Sequence, residues 1–314
     1  MNEFLVRACR AEDAAAVADV LNAVSKAGGG HLELPAAAIE NVLRAEVGDL
    51  ARDTRVITDA QGLLLAVALV RRPPEGGFRV SLEGGVRPAW QGRGVGRELL
   101  AWQLDRAAEL HAEAAPDAQW LAEVDAGVAD AAAIRLYERL GFVVERFFLE
   151  LTAPTSSPSV PSVAPPVEGL RIVPYVPHRE RELHAVHRAA FCDTWGYQER
   201  AFESWAELTV RAETFLPELA RLALVGDEIV GYVLPYADAP QALYLGQVGT
   251  ATSWRRQGVA AALLADVLGA AGRSGYAEAA LETDADSATG ASGVYEKAGF
   301  VINHRIVVYR KPVR

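Results

Sequence analysis

The sequence predicts two tandem α/β domains of the α+β kind, each a mixed, mostly antiparallel twisted sheet flanked by helices. Three observations carry this. The first is a glycine-rich passage, Val86 to Leu100 (V-R-P-A-W-Q-G-R-G-V-G-R-E-L-L), preceded by an extended apolar run and followed by Val95, Leu99, Leu100 and Leu104 at helical spacing. The second is its recurrence at Thr250 to Leu264 (T-A-T-S-W-R-R-Q-G-V-A-A-A-L-L), with Arg255, Gly258 and Ala260 in the places of Gln91, Gly94 and Gly96. The third is a later phrase that also occurs twice, R-L-Y-E-R-L-G-F at Arg135 to Phe142 and G-V-Y-E-K-A-G-F at Gly293 to Phe300. Two phrases repeated in one order mark two copies of one domain.

Length agrees, since 314 residues accommodate two domains of about 150, each with its own core. The expected borders are 1–152 and 169–314, joined by a Pro/Ser-rich linker at 153–168 that offers no packable face. With 51% apolar and 23% charged residues the composition is that of a globular protein. A net charge of −10 argues against nucleic acid as a partner, because phosphate neutralisation needs a basic face. The longest apolar run, Leu63 to Val70, is too short to span a bilayer. Met1 to Arg10 carries charge throughout, so no secretory leader is expected. Cys9 and Cys192 make no disulfide framework; a cytoplasmic protein is expected, with both cysteines buried as apolar residues.

The elements follow in order. Phe4 to Ala8 reads as a strand, and Val17, Val20, Leu21 and Val24 share one helical face before Gly28 to Gly30 ends the helix. A second helix is expected over Ala36 to Ala45, with Pro35 at its start. Arg55 to Val70 is a hairpin turning at Asp59 to Gly62. In Phe78 to Val86, Phe78, Val80 and Leu82 alternate with Arg79, Ser81 and Glu83, and Gly84 and Gly85 then mark a bulge or a close backbone approach. A helix follows the glycine turn, then a strand at Trp120 to Asp125, a helix at Ala129 to Leu140 stopped by Gly141, and a closing strand from Phe142 to Leu151. The second copy repeats this: strand Leu170 to Val173, helix Arg179 to Phe191, an aromatic-rich stretch to Trp205, hairpin Leu222 to Pro235 and strand Leu243 to Gly249. After the second turn come its helix, the strand Ala280 to Asp284 and a last strand, Val301 to Arg310.

The glycine turns suit an anion. The first N–H groups of a helix have no intrahelical partner and the helix dipole is positive there. Glycine at 92, 94 and 96 leaves the approach clear, and Arg93 and Arg97 add mobile positive charge. A plain strand-to-helix connection is the alternative for one turn taken alone; recurrence decides against it. R/Q-x-x-G-x-G/A followed by L/V-Y-E-x-x-G-F resembles the GCN5-related N-acetyltransferase (GNAT) superfamily, here as a tandem pair similar to two-lobed bacterial members such as mycothiol synthase.

The resemblance implies acetyl-CoA as cofactor and transfer of its acetyl group to a primary amine of a small molecule or peptide by direct attack, without nucleic acid, membrane or metal. It implies cofactor contacts at Gly84, Gly85, Val86, Gln91, Gly92, Arg93, Gly94, Val95, Gly96 and Arg97. In the second copy these are Val248, Gly249, Thr250, Arg255, Arg256, Gln257, Gly258, Val259, Ala260 and Ala261. It places the hydroxyls of Tyr137 and Tyr295 near the thioester sulfur; packing of the rings in the core is the alternative. Glu83 is the first candidate base, with a salt bridge to Arg79 as the competing role, and Gln247 stands at the matching place. Glu282 is the candidate in the second copy, with Glu123 as its expected counterpart. Asp130 and Ser287 replace the asparagine usual before the tyrosine. His184 and His187 lie one helical turn apart with no third metal ligand, so packing roles are expected. The first copy has the fuller set and is expected to bind acetyl-CoA best. Catalysis in the second copy alone, or a non-catalytic CoA-binding or scaffold protein, are the alternatives. The chain is expected as a monomer or homodimer.

Overall fold

The computed structural model describes residues 4–155, 167–239, 241–287 and 289–314. β1 (Leu5–Arg7) leads to α1 (Ala14–Ala27), which buries Val17, Val20 and Leu21 along one stripe as their spacing requires. α2 (Ala36–Ala45) begins directly after Pro35, whose φ of −70° suits a helix entry. The short α3 (Leu50–Asp53) is capped by Asp49, whose carboxylate accepts the Ala51 N–H. β2 (Thr54–Thr58) and β3 (Leu64–Arg71) form the hairpin, and Asp59 ties its turn by accepting from the N–H groups of Gln61 and Leu63. Then come β4 (Arg79–Val86), α4 (Val95–Ala114), β5 (Leu121–Gly127), α5 (Ala131–Arg139) and β6 (Val143–Pro154).

The second half repeats the plan with β7 (Leu170–Pro174), α6 (Glu180–Phe191), α7 (Phe202–Leu208), β8 (Arg221–Val225) and β9 (Glu228–Ala237). It continues with β10 (Ala242–Thr250), α8 (Val259–Arg273), β11 (Glu278–Asp284), α9 (Ala291–Lys297) and β12 (Val301–Pro312).

The chain divides into two units whose borders are not those of the repeat. Unit one is Met1–Phe148 with His304–Arg314, and unit two is Leu149–Asn303. Strands run β1-β2-β3-β4-β5-β12 in unit one and β6-β11-β10-β9-β8-β7 in unit two. The latter part of each half's closing strand therefore belongs to the other unit, β6 from Leu149 in unit two and β12 from His304 in unit one. The physical reason is burial on both sides of the exchange. β12 pairs antiparallel with β5 from Ile306 opposite Gly127 to Pro312 opposite Leu121, and puts Val307 and Tyr309 into unit one's core. Leu149, Leu151 and Ala153 of β6 join Leu243, Leu263, Leu281 and Phe300 in unit two. Of the expected linker, 156–166 lies outside the described residues; Ala153 and Pro154 end β6, and the Thr155 N–H donates to Ala277 O.

In unit one, α1 and α2 cover one face of the sheet through Val17, Ile39, Val67 and Leu69, and α4 covers the other through Leu100, Val70 and Leu82. In unit two, Leu183 of α6 and Trp205 of α7 pack on Tyr232 and Leu234, while Leu263 of α8 packs opposite them on Val233 and Leu245. Cys9 is buried, its thiol pushed up to about 12 by burial; Cys192 is exposed, which corrects the expectation that both are buried. Among the described residues no helix is long and apolar enough to cross a membrane, and no cluster of side chains could hold a metal ion.

Candidate active site

Each unit contains one parallel strand pair that opens partway along. β4 pairs with β5 only from Arg79 opposite Leu121 to Ser81 opposite Glu123, yet β4 runs on to Val86 and β5 to Gly127. In unit two, β10 and β11 pair from Ala242 opposite Glu278 to Tyr244 opposite Ala280, then part. Beyond the split, facing backbone edges can take an extended amide-bearing chain by strand addition.

The glycine turns stand at the ends of β4 and β10. Gly94 (φ 88°) and Gly258 (φ 83°) are the N-caps of α4 and α8, both left-handed, so a side chain there is strained. The first intrahelical bonds are Glu98 N–H to Gly94 O and Ala262 N–H to Gly258 O, which leaves the preceding helical N–H groups for an anion. Gly92 also has positive φ; its counterpart Arg256 holds φ 60° with a side chain. Gly96, by contrast, would place a Cβ at ordinary contact, 3.6 Å from Leu136 and Val86, which explains Ala260 at the matching place. Arg93 lies over the Trp90 ring at 4.3 Å, and Arg97 is exposed. Gln91 donates to Val86 O at 3.2 Å. Arg255, its counterpart, is bound to Asp193 at 2.6 and 2.8 Å and to Ala190 O, so it anchors the end of α6. Gln257 donates to Ser253 O. Val86 and Val259 are core residues, Val95 and Val248 pack against the core, Thr250 is half-buried, and Ala261 is exposed.

Of the two roles expected for Gly84 and Gly85, a bulge or a close backbone approach, the structure shows the second. β3 and β4 pair without a register shift from Arg71–Ser81 to Ala66–Val86. The glycines answer a close approach instead: a Cβ would lie 2.4 Å from Val67 O at Gly84 and 2.8 Å from Val24 Cγ2 at Gly85. Gln103 of α4 bridges the carbonyls of Leu69 and Glu83 at 2.8 Å each, tying the straight ladder. The bulge is in unit two, where the register shifts between Leu245–Pro235 and Gln247–Leu234 and skips Gly246. Gly249 is buried, and the Tyr232 ring fills the space a Cβ there would need.

The carboxylates differ in their company. Glu83 accepts from Arg71 at 3.2 Å, not from Arg79, and Arg71 also pairs with buried Glu46. Burial opposes the Arg71 charge, but Glu46 and Glu83 outweigh it and raise its pKa. Glu123 lies between Arg79 (3.3 Å) and Arg310 (2.7 Å). The ladder also corrects a correspondence: Glu123 matches Ala280, and the counterpart of Glu282 is Asp125, because the repeats differ by one residue between strand and tyrosine. Asp125 and Glu282 are both exposed, two residues past the last paired position.

Tyr137 donates its hydroxyl to Asp125 O at 3.1 Å, beside the split. Burial, with Asp125 and Asp130 adding, raises its pKa, so it stays protonated. Tyr295 is buried and is pushed up to about 12. Asp130 caps α5 by accepting from Ala132 and Ala133, and Ser287 bonds Thr289, so both replacements for the expected asparagine serve local structure.

The match to known proteins agrees with this geometry. An acetyltransferase (GNAT) family model matches residues 182–300, and an acetyltransferase (GNAT) domain model matches residues 54–144. The chain belongs to the GNAT acetyltransferases. Solved structures of similar fold cover the whole chain. A GCN5-related N-acetyltransferase from Sphaerobacter thermophilus is 29% identical with a TM-score of 0.79, over 99% of this chain and 96% of that one. A tandem GNAT protein from the clavulanic acid biosynthesis pathway is 14% identical with a TM-score of 0.74, over 99% of each chain. A putative acetyltransferase from Pyrococcus horikoshii is 15% identical with a TM-score of 0.60, over 99% of this chain and 90% of that one. No curated protein matches the sequence.

Within this GNAT pair, His187 has a packing contact as expected, and the roles of Tyr232, Tyr236 and Tyr244 were not anticipated. His187 Nδ1 and the Tyr232 hydroxyl are 2.6 Å apart, and His187 stacks on Phe191. Burial, with His184 adding, pushes His187 down to about 4, so its ring is neutral. Tyr236 and Tyr244 sit opposite one another at the bulge. The glycine inside Y-L-G-Q-V-G was the available sign, since an interior strand glycine marks a bulge.

Proposed function

We propose that this GNAT protein transfers an acetyl group from acetyl-CoA to a primary amine of a small molecule or peptide, and that transfer occurs in unit two. Supporting this is the coincidence in one unit of the split between β10 and β11, the Gly246 bulge, the left-handed cap at Gly258 and exposed Glu282. Acetyl-CoA supplies a thioester open to attack by nitrogen. The N–H groups after Gly258 and the side chain of Arg256 would hold its diphosphate, and the parted edges of β10 and β11 its pantetheine amides. Glu282 takes the proton of the incoming amine, directly or through a water. Tyr295, protonated because it is buried, donates to the departing sulfur. A cytoplasmic setting and a monomer or homodimer belong to this reading.

Unit one as the site of transfer is the second reading, favoured by the exposed guanidinium of Arg97 and by Arg93 at its turn. In unit one, however, Glu83 and Glu123 are held by arginines, and the residue matching Glu282 is the shorter Asp125. Calorimetric titration with acetyl-CoA, combined with turnover read as thiol release over an amine panel, separates the two. Gly258→Asp is expected to lower turnover at least 100-fold, while Gly94→Asp retains it within threefold. The reverse pattern moves transfer to unit one. No acetyl-CoA binding by the folded chain removes the reading altogether and favours a scaffold.

A further inference from the structure

The bulge of unit two has surroundings that the transfer of an acetyl group does not by itself explain. Tyr244 is opposite Tyr236 and Gln247 is opposite Leu234, so Tyr236, Tyr244 and Gln247 share the face that Leu234 turns toward α6 and α7. Residues three apart share a face here only because Gly246 is skipped. A Cβ on Gly246 would lie 2.6 Å from Tyr236 Cε2 and 3.3 Å from Tyr244 Cε1, so the two rings flank the bulge closely. Both tyrosines are half-buried, and the strand end beside them is open at exposed Glu282.

Two polar atoms at this place are buried without a hydrogen-bond partner among the described residues: the Tyr236 hydroxyl oxygen and Gln247 Oε1. Both can accept a hydrogen bond; Gln247 Oε1 can only accept and so lacks a donor, while the Tyr236 hydroxyl can also donate. Two carboxylates border the place. Glu282 is two residues past Ala280, the partner of Tyr244, and Asp238 is two residues past Tyr236. Burial, then Glu282, Asp238 and Glu150, raise the Tyr244 pKa, which agrees with carboxylates close to its ring. Aromatic faces, unpaired acceptors and nearby carboxylates together suit an ammonium group, which supplies donors and no acceptor. The matching face of unit one carries Arg71, Arg79 and Arg310 instead.

We propose that the bulge of unit two is a subsite for a cationic aliphatic amine, walled by Tyr236 and Tyr244, hydrogen-bonded by Gln247 and bordered by Asp238 and Glu282. Its role in choosing the acceptor rests on the transfer proposed above; its capacity to bind an ammonium does not. An aliphatic diamine uses such a site well, one nitrogen held as ammonium while the other is acetylated. An acceptor bearing a carboxylate is repelled.

Calorimetric titration of the full chain with putrescine, and with glutamate as the anionic control, tests this with and without saturating acetyl-CoA. Putrescine is expected to bind at least tenfold more tightly than glutamate. Tyr244→Leu and Asp238→Asn are each expected to weaken putrescine at least fivefold while acetyl-CoA affinity stays within twofold, and Tyr244→Phe restores most of the loss. Should Tyr244→Leu fail to fold by circular dichroism, Asp238→Asn, just past the end of β9, decides. Absent putrescine binding, equal binding of glutamate, or undiminished binding in the folded variants overturns the subsite. Putrescine binding without acetyl-CoA binding would leave the subsite standing and overturn the transfer reading.

Discussion

The two units share one strand plan but fill the helix-covered surroundings of their split strands with opposite chemistry. Unit one uses ion pairs. Asp53, fully buried, takes Arg106 at 2.8 Å and Arg72 at 2.9 Å; Glu83 shares Arg71 with Glu46; Glu123 is bracketed by Arg79 and Arg310. Unit two uses rings: Tyr175, Tyr232, Tyr236, Trp205, Phe215 and the neutral His187. The ion pairs of unit one hold Glu83 and Glu123, while the carboxylate that matches Glu282 there is Asp125. An aromatic wall keeps its polar atoms few and addressable. On the proposed reading, the ring-walled surroundings of unit two are the ones that handle ligand.

The largest effect expected from breaking this contrast is at Asp53. Its carboxylate neutralises Arg106, which is 3% exposed, and also accepts the Asp49 N–H at 3.0 Å. Removing one member of a buried pair costs about 3–5 kcal/mol where the other charge is left uncompensated; Arg106 keeps the half-exposed Glu109 at 2.7 Å and Glu113 at 3.8 Å, which puts the cost at the lower end of that range. Asp53→Ala is therefore expected to destabilise unit one by that amount in denaturant unfolding and to leave unit two's transition in place. A loss below about 1 kcal/mol would show that water reaches Arg106 and that the lattice is not structural.

Much of this was legible in the sequence, and the failures share a cause. Gly94, Gly258, Tyr137 and Tyr295 sit where local pattern placed them, because turns and helix starts are decided by neighbours in the chain. The exchange of β6 and β12 was not legible: R-F-F-L-E-L and R-I-V-V-Y-R are both plausible closing strands, and which unit each completes is settled by long-range packing. Glu83 was matched to Arg79 by proximity along one strand, whereas the hairpin brings Arg71 across from β3. Likewise the counterpart of Glu282 is Asp125, two residues beyond the expected Glu123, which only ladder register reveals.

A smaller effect is expected at His187, and its sign follows from burial. An unperturbed histidine titrates near 6.5, and in the fold His187 is pushed down to about 4. The unfolded chain therefore binds the proton more tightly, so the contribution is fully present above about pH 6.5 and is lost as pH falls toward 4. The span corresponds to about 3 kcal/mol. His187→Phe keeps a ring against Phe191 and Trp205 and should flatten this slope, measured as unit two's unfolding free energy at pH 4.5 and 7.5 against the parent. An unchanged slope would place the titration elsewhere.

The smallest effects concern the turn glycines, and they sharpen what the two units have in common. Gly96→Ala adds a methyl at ordinary contact distance in a right-handed helical position, and Ala260 already does so in unit two. It should stabilise unit one by about 0.5 kcal/mol through the unfolded chain and change acetyl-CoA affinity less than threefold. Gly94→Ala meets a left-handed backbone, φ 88°, and should destabilise by about 1 kcal/mol. If both substitutions cost the same, the glycines would matter as a flexible segment rather than as a single left-handed cap. If they diverge, one glycine per turn is the requirement, which is what Arg256 and Ala260 in unit two imply by replacing the other two.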